Sequence, residues 1–96
     1  MDGRSMMYHI DFSKDVEKII KKWKKSNPNL FKKMKELLPE LSAHPRTGKG
    51  HPEPLKGGTD ITYSRRITAK DRIIYDIYDD IVNVLILEVE GHYSDK

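Results

Sequence analysis

Four segments of this 96-residue chain carry side chains suited to chemistry on a phosphate backbone. Glu53 stands between two prolines in His51-Pro52-Glu53-Pro54-Leu55-Lys56, and Arg65 and Arg66 form a pair in Ser64-Arg65-Arg66-Ile67-Thr68. Arg72 opens the apolar run Asp71-Arg72-Ile73-Ile74-Tyr75, and His92 sits in Gly91-His92-Tyr93. RNA is cut without a metal when its own 2′-hydroxyl attacks the adjacent phosphate, which takes a base, an acid for the leaving 5′-oxygen and cations for the developing charge. Glu53 suits the base, because prolines on both sides fix the backbone and lower the entropy lost in holding one carboxylate in place. His92 suits the acid, since an imidazole titrates near neutral pH. Arg72, Arg66 and Lys56 suit the phosphate clamp, where the planar arginine fork makes a two-pronged contact. Tyr93 suits stacking on a base or orienting a neighbour. Each has a plainer reading when taken alone: a surface turn, a salt bridge, an exposed histidine, a packed aromatic. Their combination in one stretch is what points to a site.

The elements that must position these groups follow from periodicity. Residues 8–12 alternate as a short strand, and Ser13 then offers an N-cap with Asp15 and Glu17 in the first helical turn. Val16, Ile19, Ile20 and Trp23 share one face of that helix. Asn27-Pro28 ends it and starts a second helix, with Asn27 as cap and Pro28 at its first position. Leu30, Phe31, Met34, Leu37, Leu38 and Leu41 extend the apolar stripe, so the pair reads as a helical hairpin laid on a sheet, with Trp23 and Met34 in the core. Residues 44–60 have no period and are rich in Pro and Gly, as in an ordered connection, and a loop of that length in so small a domain is usually functional. Residues 61–68, 72–78 and 81–89 read as strands, the last apolar on both faces and therefore central. The order βααβββ predicts an α+β fold: an N-terminal strand, a helical hairpin, then a mainly antiparallel twisted sheet.

Length and composition narrow the field. Ninety-six residues form one domain, with residues 1–5 read as a disordered or vector-derived extension. No cysteine is present, so there is no disulfide framework and no thiolate metal site, and the four histidines lack the close pairing of a zinc motif. The expected chemistry therefore calls for no metal and no cofactor. No apolar run approaches the length of a membrane helix, and no secretory h-region opens the chain, which predicts a cytoplasmic protein without a membrane partner. The net charge of +3 is unevenly spread, with nine lysines between Ser13 and Pro39 and five acidic residues with no basic one between Asp76 and Glu90.

Strand parity sets a condition on the proposed site. If Asp79-Asp80 were a two-residue hairpin loop, Tyr78 would pair with Ile81 and Arg72 with Leu87, placing Tyr93 rather than His92 on the face of Arg72. A three-residue loop, or a bulge at Gly91, reverses the parity. One such extra residue is expected, because Arg72 and His92 have to share a site.

The four motifs around Glu53, Arg65-Arg66, Arg72 and His92-Tyr93, in this order and after a helical hairpin, resemble the Txe/YoeB toxins of the RelE superfamily, the toxic partners of type II toxin–antitoxin modules. The match covers about half the chain. The resemblance implies a RelE-like fold and a ribosome-dependent endoribonuclease that cleaves messenger RNA in the ribosomal A site and is neutralised by a cognate antitoxin. It assigns Glu53 as general base, His92 as general acid, Arg72 as the principal phosphate-stabilising group and Tyr93 as an accessory. Lys56, Arg65 and Arg66 would bind RNA, the helical lysines would meet ribosomal RNA, and a homodimer is the favoured state. The alternative is a catalytically inactive RNA- or protein-binding module of the same fold. In this chain Ser94-Asp95-Lys96 follow the tyrosine, at or beside which the best-known members end.

Overall fold

The computed structural model describes residues 7–91. The expected catalytic His92 and Tyr93, and the extension assigned to residues 1–5, lie outside the described residues. Within them the order is β1 (His9–Phe12), α1 (Lys14–Ser26), α2 (Pro28–Ala43), β2 (Glu53–Pro54), β3 (Thr62–Arg66), β4 (Arg72–Tyr78) and β5 (Asn83–Glu90). One five-stranded sheet runs β1-β5-β4-β3-β2, with β1 parallel to β5 and every other neighbour antiparallel. The α+β architecture is as the periodicity implied, with one addition: the long connection contributes a two-residue edge strand, β2, that no period revealed. Two prolines suit an edge position, since only one side of such a strand is asked to donate N–H groups.

Local chemistry places the helix boundaries where the sequence put them. The Ser13 hydroxyl accepts from the Val16 N–H at 3.2 Å, satisfying a donor that the first helical turn leaves free. Asn27 ends α1 by donating its N–H to the Trp23 carbonyl at 2.9 Å and caps α2 by accepting from Leu30 N–H at 3.4 Å, with Pro28 next in line. The helical hairpin lays Val16, Trp23, Leu30, Met34, Leu37 and Leu41 on Ile73, Tyr75, Ile77, Val84, Ile86 and Val89. Each of these large side chains contributes roughly 1.5–3 kcal/mol by leaving water, so this single layered core dominates stability. Ile19, Ile20, Phe31 and Leu38 pack against it from the margin.

The β4–β5 hairpin differs from the two-residue loop considered above. Tyr78 pairs with Asn83, so four residues close the hairpin, three of them in a single 3-10 turn (Asp79–Ile81) followed by Val82 at a left-handed φ of 52°. An even loop length leaves parity unchanged. The reversal comes further along: Ile74 pairs with Glu88 whereas Tyr75 pairs with Ile86, so Leu87 is an extra residue on β5. The expected bulge therefore exists, at Leu87 rather than Gly91. Beyond it, Ile73 pairs with Val89 and Arg72 with Glu90, which gives even-numbered β5 residues the face of Arg72. Ser13 supports this bulge as well as its helix, because its hydroxyl donates to the Leu87 carbonyl at 2.9 Å while its N–H donates to the Ile86 carbonyl at 2.9 Å.

Candidate active face

Ladder register divides the sheet into two unlike surfaces. Tyr63, Arg65, Ile73, Tyr75, Ile77, Val84, Ile86 and Val89 share the face under the helices, as successive cross-strand partners must. The opposite face carries, in one row across the strands, Glu53, Ser64, Ile74 and Glu88, and in the next row Arg66, Arg72 and Glu90. Glu53 stands opposite Ser64 and hence diagonal to Arg66, about 7–8 Å away at the level of the backbone and within reach of long side chains. Arg72 is one strand further on, about 10 Å from β2 by two strand spacings. A nucleotide linkage over this surface can meet the Glu53 carboxylate and the Arg66 and Arg72 guanidinium groups together.

The turn that presents Arg72 is built by motif residues with no chemistry of their own. Thr68 Oγ1 donates to Asp71 Oδ2 at 2.7 Å and accepts from the Asp71 N–H at 3.0 Å, while Ile67 and Thr68 N–H both donate to the Asp71 carbonyl, at 2.7 and 3.1 Å. Arg72 follows immediately. Gly91 lies against that turn so closely that a Cβ would stand 2.1 Å from Asp71 Oδ1 and 3.0 Å from its Cα, which explains a glycine beside His92. Arg66, Lys70, Asp71, Arg72, Glu90 and Gly91 border a cleft of about 340 Å³ with Ala69. One Glu90 oxygen accepts from Arg72 Nε at 2.9 Å and stands 2.9 Å from a terminal guanidinium nitrogen in the same ion pair. The sequence offered no signal for Glu90 beyond membership of an acidic run.

Glu53 is held from both flanks. Arg66 N–H donates to the Gly50 carbonyl at 2.7 Å and Leu55 N–H to the Thr62 carbonyl at 2.9 Å, so the main chain is tied to β3 on each side of Pro52-Glu53-Pro54. Gly50 has a φ of 87° and a Cβ there would meet the Arg66 carbonyl at 2.6 Å and Arg65 Cγ at 2.7 Å, so no side chain fits. His51 adopts a φ of 50°, a left-handed conformation uncommon for a non-glycine residue, two residues before Glu53. The Glu53 side chain is exposed and makes no hydrogen bond or ion pair among the described residues. Lys56 is exposed in the turn after β2, beyond the border of the Arg66–Arg72 cleft.

Arg65 departs from the expectation that it binds RNA. It is completely buried on the helix-covered face, where its terminal nitrogen donates to the His44 carbonyl at 2.5 Å and the Thr47 carbonyl at 2.7 Å. Tyr75, also fully buried, donates to the Pro45 carbonyl at 2.7 Å. Alternation along β3 is the physical reason: Arg66 is on the open face, so Arg65 must face the core. Arg65 thus fastens the start of the loop whose far end carries Glu53. At the same end of that loop, Arg46 makes two hydrogen bonds to Asp79, at 3.1 and 2.7 Å, and Tyr8 donates to the same carboxylate at 2.6 Å. Hydrogen bonding from Arg46, then from Tyr8, holds the Asp79 carboxyl below its usual range, and the same contact with Asp79 pushes the Tyr8 hydroxyl up.

Among the described residues, no helix is long and apolar enough to cross a membrane. Comparison with known proteins gives a consistent result. A model of the YoeB-like toxins of bacterial type II toxin–antitoxin systems matches residues 12–93. The toxin YoeB of Escherichia coli K12 is 38% identical over 71 residues, covering 74% of this chain and 82% of that protein. Among solved structures, a YoeB dimer from Staphylococcus aureus superposes with a TM-score of 0.77 at 30% identity, covering 91% of this chain and 99% of the other. A YoeB–YefM complex from the same organism gives 0.74 at 31% identity, covering 90% and 98%.

Proposed function

Because the chain belongs to the YoeB-like toxins of bacterial type II toxin–antitoxin systems, we propose that it is a ribosome-dependent endoribonuclease that cleaves messenger RNA in the A site and is neutralised by a cognate antitoxin. The observation that carries this reading is the shared open face of Glu53, Arg66 and Arg72, brought together from three strands. Glu53 takes the proton of the 2′-hydroxyl as it attacks the neighbouring phosphorus. Arg72, with Arg66 beside it, stabilises the charge that grows on the non-bridging oxygens. His92 gives a proton to the departing 5′-oxygen, leaving a 2′,3′-cyclic phosphate and a free 5′-hydroxyl, so that atoms and charge balance without a redox partner. The Leu87 bulge puts Glu90, two residues before His92 in the sequence, on the face of Arg72, and this supports His92 as the acid. Lys56 and Tyr93 bind or orient the strand at the margin.

Proximity supplies much of the catalysis in a site with an exposed carboxylate and exposed cations. A ribosome that holds the message against this face converts an encounter into a positioned reaction. Lysines of α1 and α2 meet ribosomal RNA and contribute a salt-dependent part of the affinity. The relatives solved as a dimer and as a complex with YefM support a homodimer and an antitoxin partner for this chain. The purified protein added to translating ribosomes is expected to produce discrete messenger cuts in primer extension. These should vanish with Glu53→Ala or His92→Ala. Equal cutting of free RNA would remove ribosome dependence, and unchanged cutting by both variants would remove the assigned roles.

A further inference from the structure

Glu90 has no part in the chemistry just described, yet it holds the arginine that chemistry depends on. It stands directly opposite Arg72 in the β4–β5 register, and Arg66 stands opposite Arg72 on the other side. Two cations facing each other across a ladder repel, and Glu90 offsets that repulsion. Its position does something more. The single oxygen that accepts from Nε and lies as close to a terminal nitrogen, both at 2.9 Å, occupies an edge by which a guanidinium grips a phosphate two-pronged. The side chains are 47% and 42% exposed, so solvent screens the pair and a phosphate can exchange with the carboxylate. Glu88 lies on the same face one row away, so the β5 side of this surface is acidic while the β3 side carries Arg66.

We infer that Glu90 is a specificity-determining residue: a built-in competitor for the RNA phosphate at Arg72 that discourages capture of free strands. This rests on the ribonuclease reading above. A free strand must displace Glu90 at each encounter, and the displaced carboxylate stays near the phosphate and repels it. A message held on the ribosome arrives at a high effective concentration, anchored by contacts elsewhere, so the same exchange affects its cleavage far less. Glu90 touches Arg72 and no reacting atom, and it acts by setting how available that arginine is.

The test uses the full chain and Glu90→Gln, which keeps size and shape and removes the charge. Binding to a short single-stranded 2′-O-methyl RNA, uncleavable because it lacks the nucleophile, is followed by fluorescence anisotropy at low salt. Glu90→Gln is expected to bind about threefold to fivefold tighter, the scale of losing one exposed ionic competitor. Most of that gain should disappear in the Glu90→Gln, Arg72→Ala double variant, and the ratio of ribosomal to free-RNA cleavage should narrow by a similar factor. Unchanged or weaker binding by Glu90→Gln, or the full gain without Arg72, overturns the inference. So does a variant with a lower Tm and the original affinity, which would reduce Glu90 to a counter-ion for the arginine row. The two layers separate cleanly: wild-type protein inert on translating ribosomes defeats the ribonuclease reading, whereas intact ribosomal cleavage with no effect of Glu90→Gln defeats only the role of Glu90.

Discussion

Arg65 and Arg66 are chemically identical neighbours on β3, and they do opposite things. Arg65 faces the helices, is wholly buried and spends its terminal nitrogen on two loop carbonyls. Arg66 faces the open surface, lies in the row of Arg72 and Glu90, and has no side-chain partner among the described residues. The covered face of the sheet turns its polar atoms inward to hold backbone, and the open face leaves its cations for a polyanion. Residue type does not separate these uses; the alternation of the strand does.

The contrast can be broken from either side. The largest expected effect is on the open face: Glu53→Ala or Arg72→Ala should lower ribosomal cleavage about 100-fold or more while shifting Tm little, as single-turnover cleavage and thermal melts would show. On the covered face the pattern inverts. Arg65→Ala leaves a cavity and two carbonyls without their donor, and should cost about 3 kcal/mol in urea unfolding, with cleavage falling only as the folded fraction falls. A Ser13→Ala variant probes the connection between the faces. It removes an N-cap, worth about 1 kcal/mol, and also the donor to the Leu87 carbonyl at the bulge. Asn27→Ala removes a comparable cap with no bulge attached, so the two should lose similar stability while only Ser13→Ala loses cleavage beyond that loss.

The smallest effect concerns the clasp of Tyr8, Arg46 and Asp79. The Asp79 carboxyl is held below its ordinary range, chiefly by Arg46, so its contribution is present above the unfolded carboxylate pKa and lost as pH falls through the lower folded value. Melting curves of wild type and Asp79→Asn should therefore differ slightly at neutral pH and converge below about pH 4. Because Asp79 is exposed, a large difference at neutral pH would show that the clasp fixes the loop more firmly than a surface pair does.

Much of this was legible in the sequence where local rules are strong. Ser13 and Asn27-Pro28 marked both helix starts, and the stripe from Val16 to Leu41 marked the core-facing side of the hairpin. The sequence required Arg72 and His92 to share one site, and the need for an extra residue in the last hairpin followed from that requirement; His92 itself lies outside the described residues. The location of that residue was not legible, because Leu87 lies in the uniformly apolar run 84–87 where a slip of one residue leaves no mark in the pattern. The fate of Arg65 was hidden for a related reason: with Arg65 and Arg66 adjacent, only the register decides which one is buried. β2 escaped notice since a strand of two residues, one of them a proline, carries no period, and Glu90 escaped because its meaning depends on what stands opposite.

The most direct test of the central claim is the structure of the ribosome-bound toxin on a messenger made uncleavable by 2′-O-methylation. The account predicts the scissile phosphate on the open face, with Arg72 within hydrogen-bond reach of a non-bridging oxygen and the Glu53 carboxylate beside the modified 2′-oxygen. RNA seated on the helical hairpin, with Glu53 and Arg72 bare on the far side of the sheet, would contradict it.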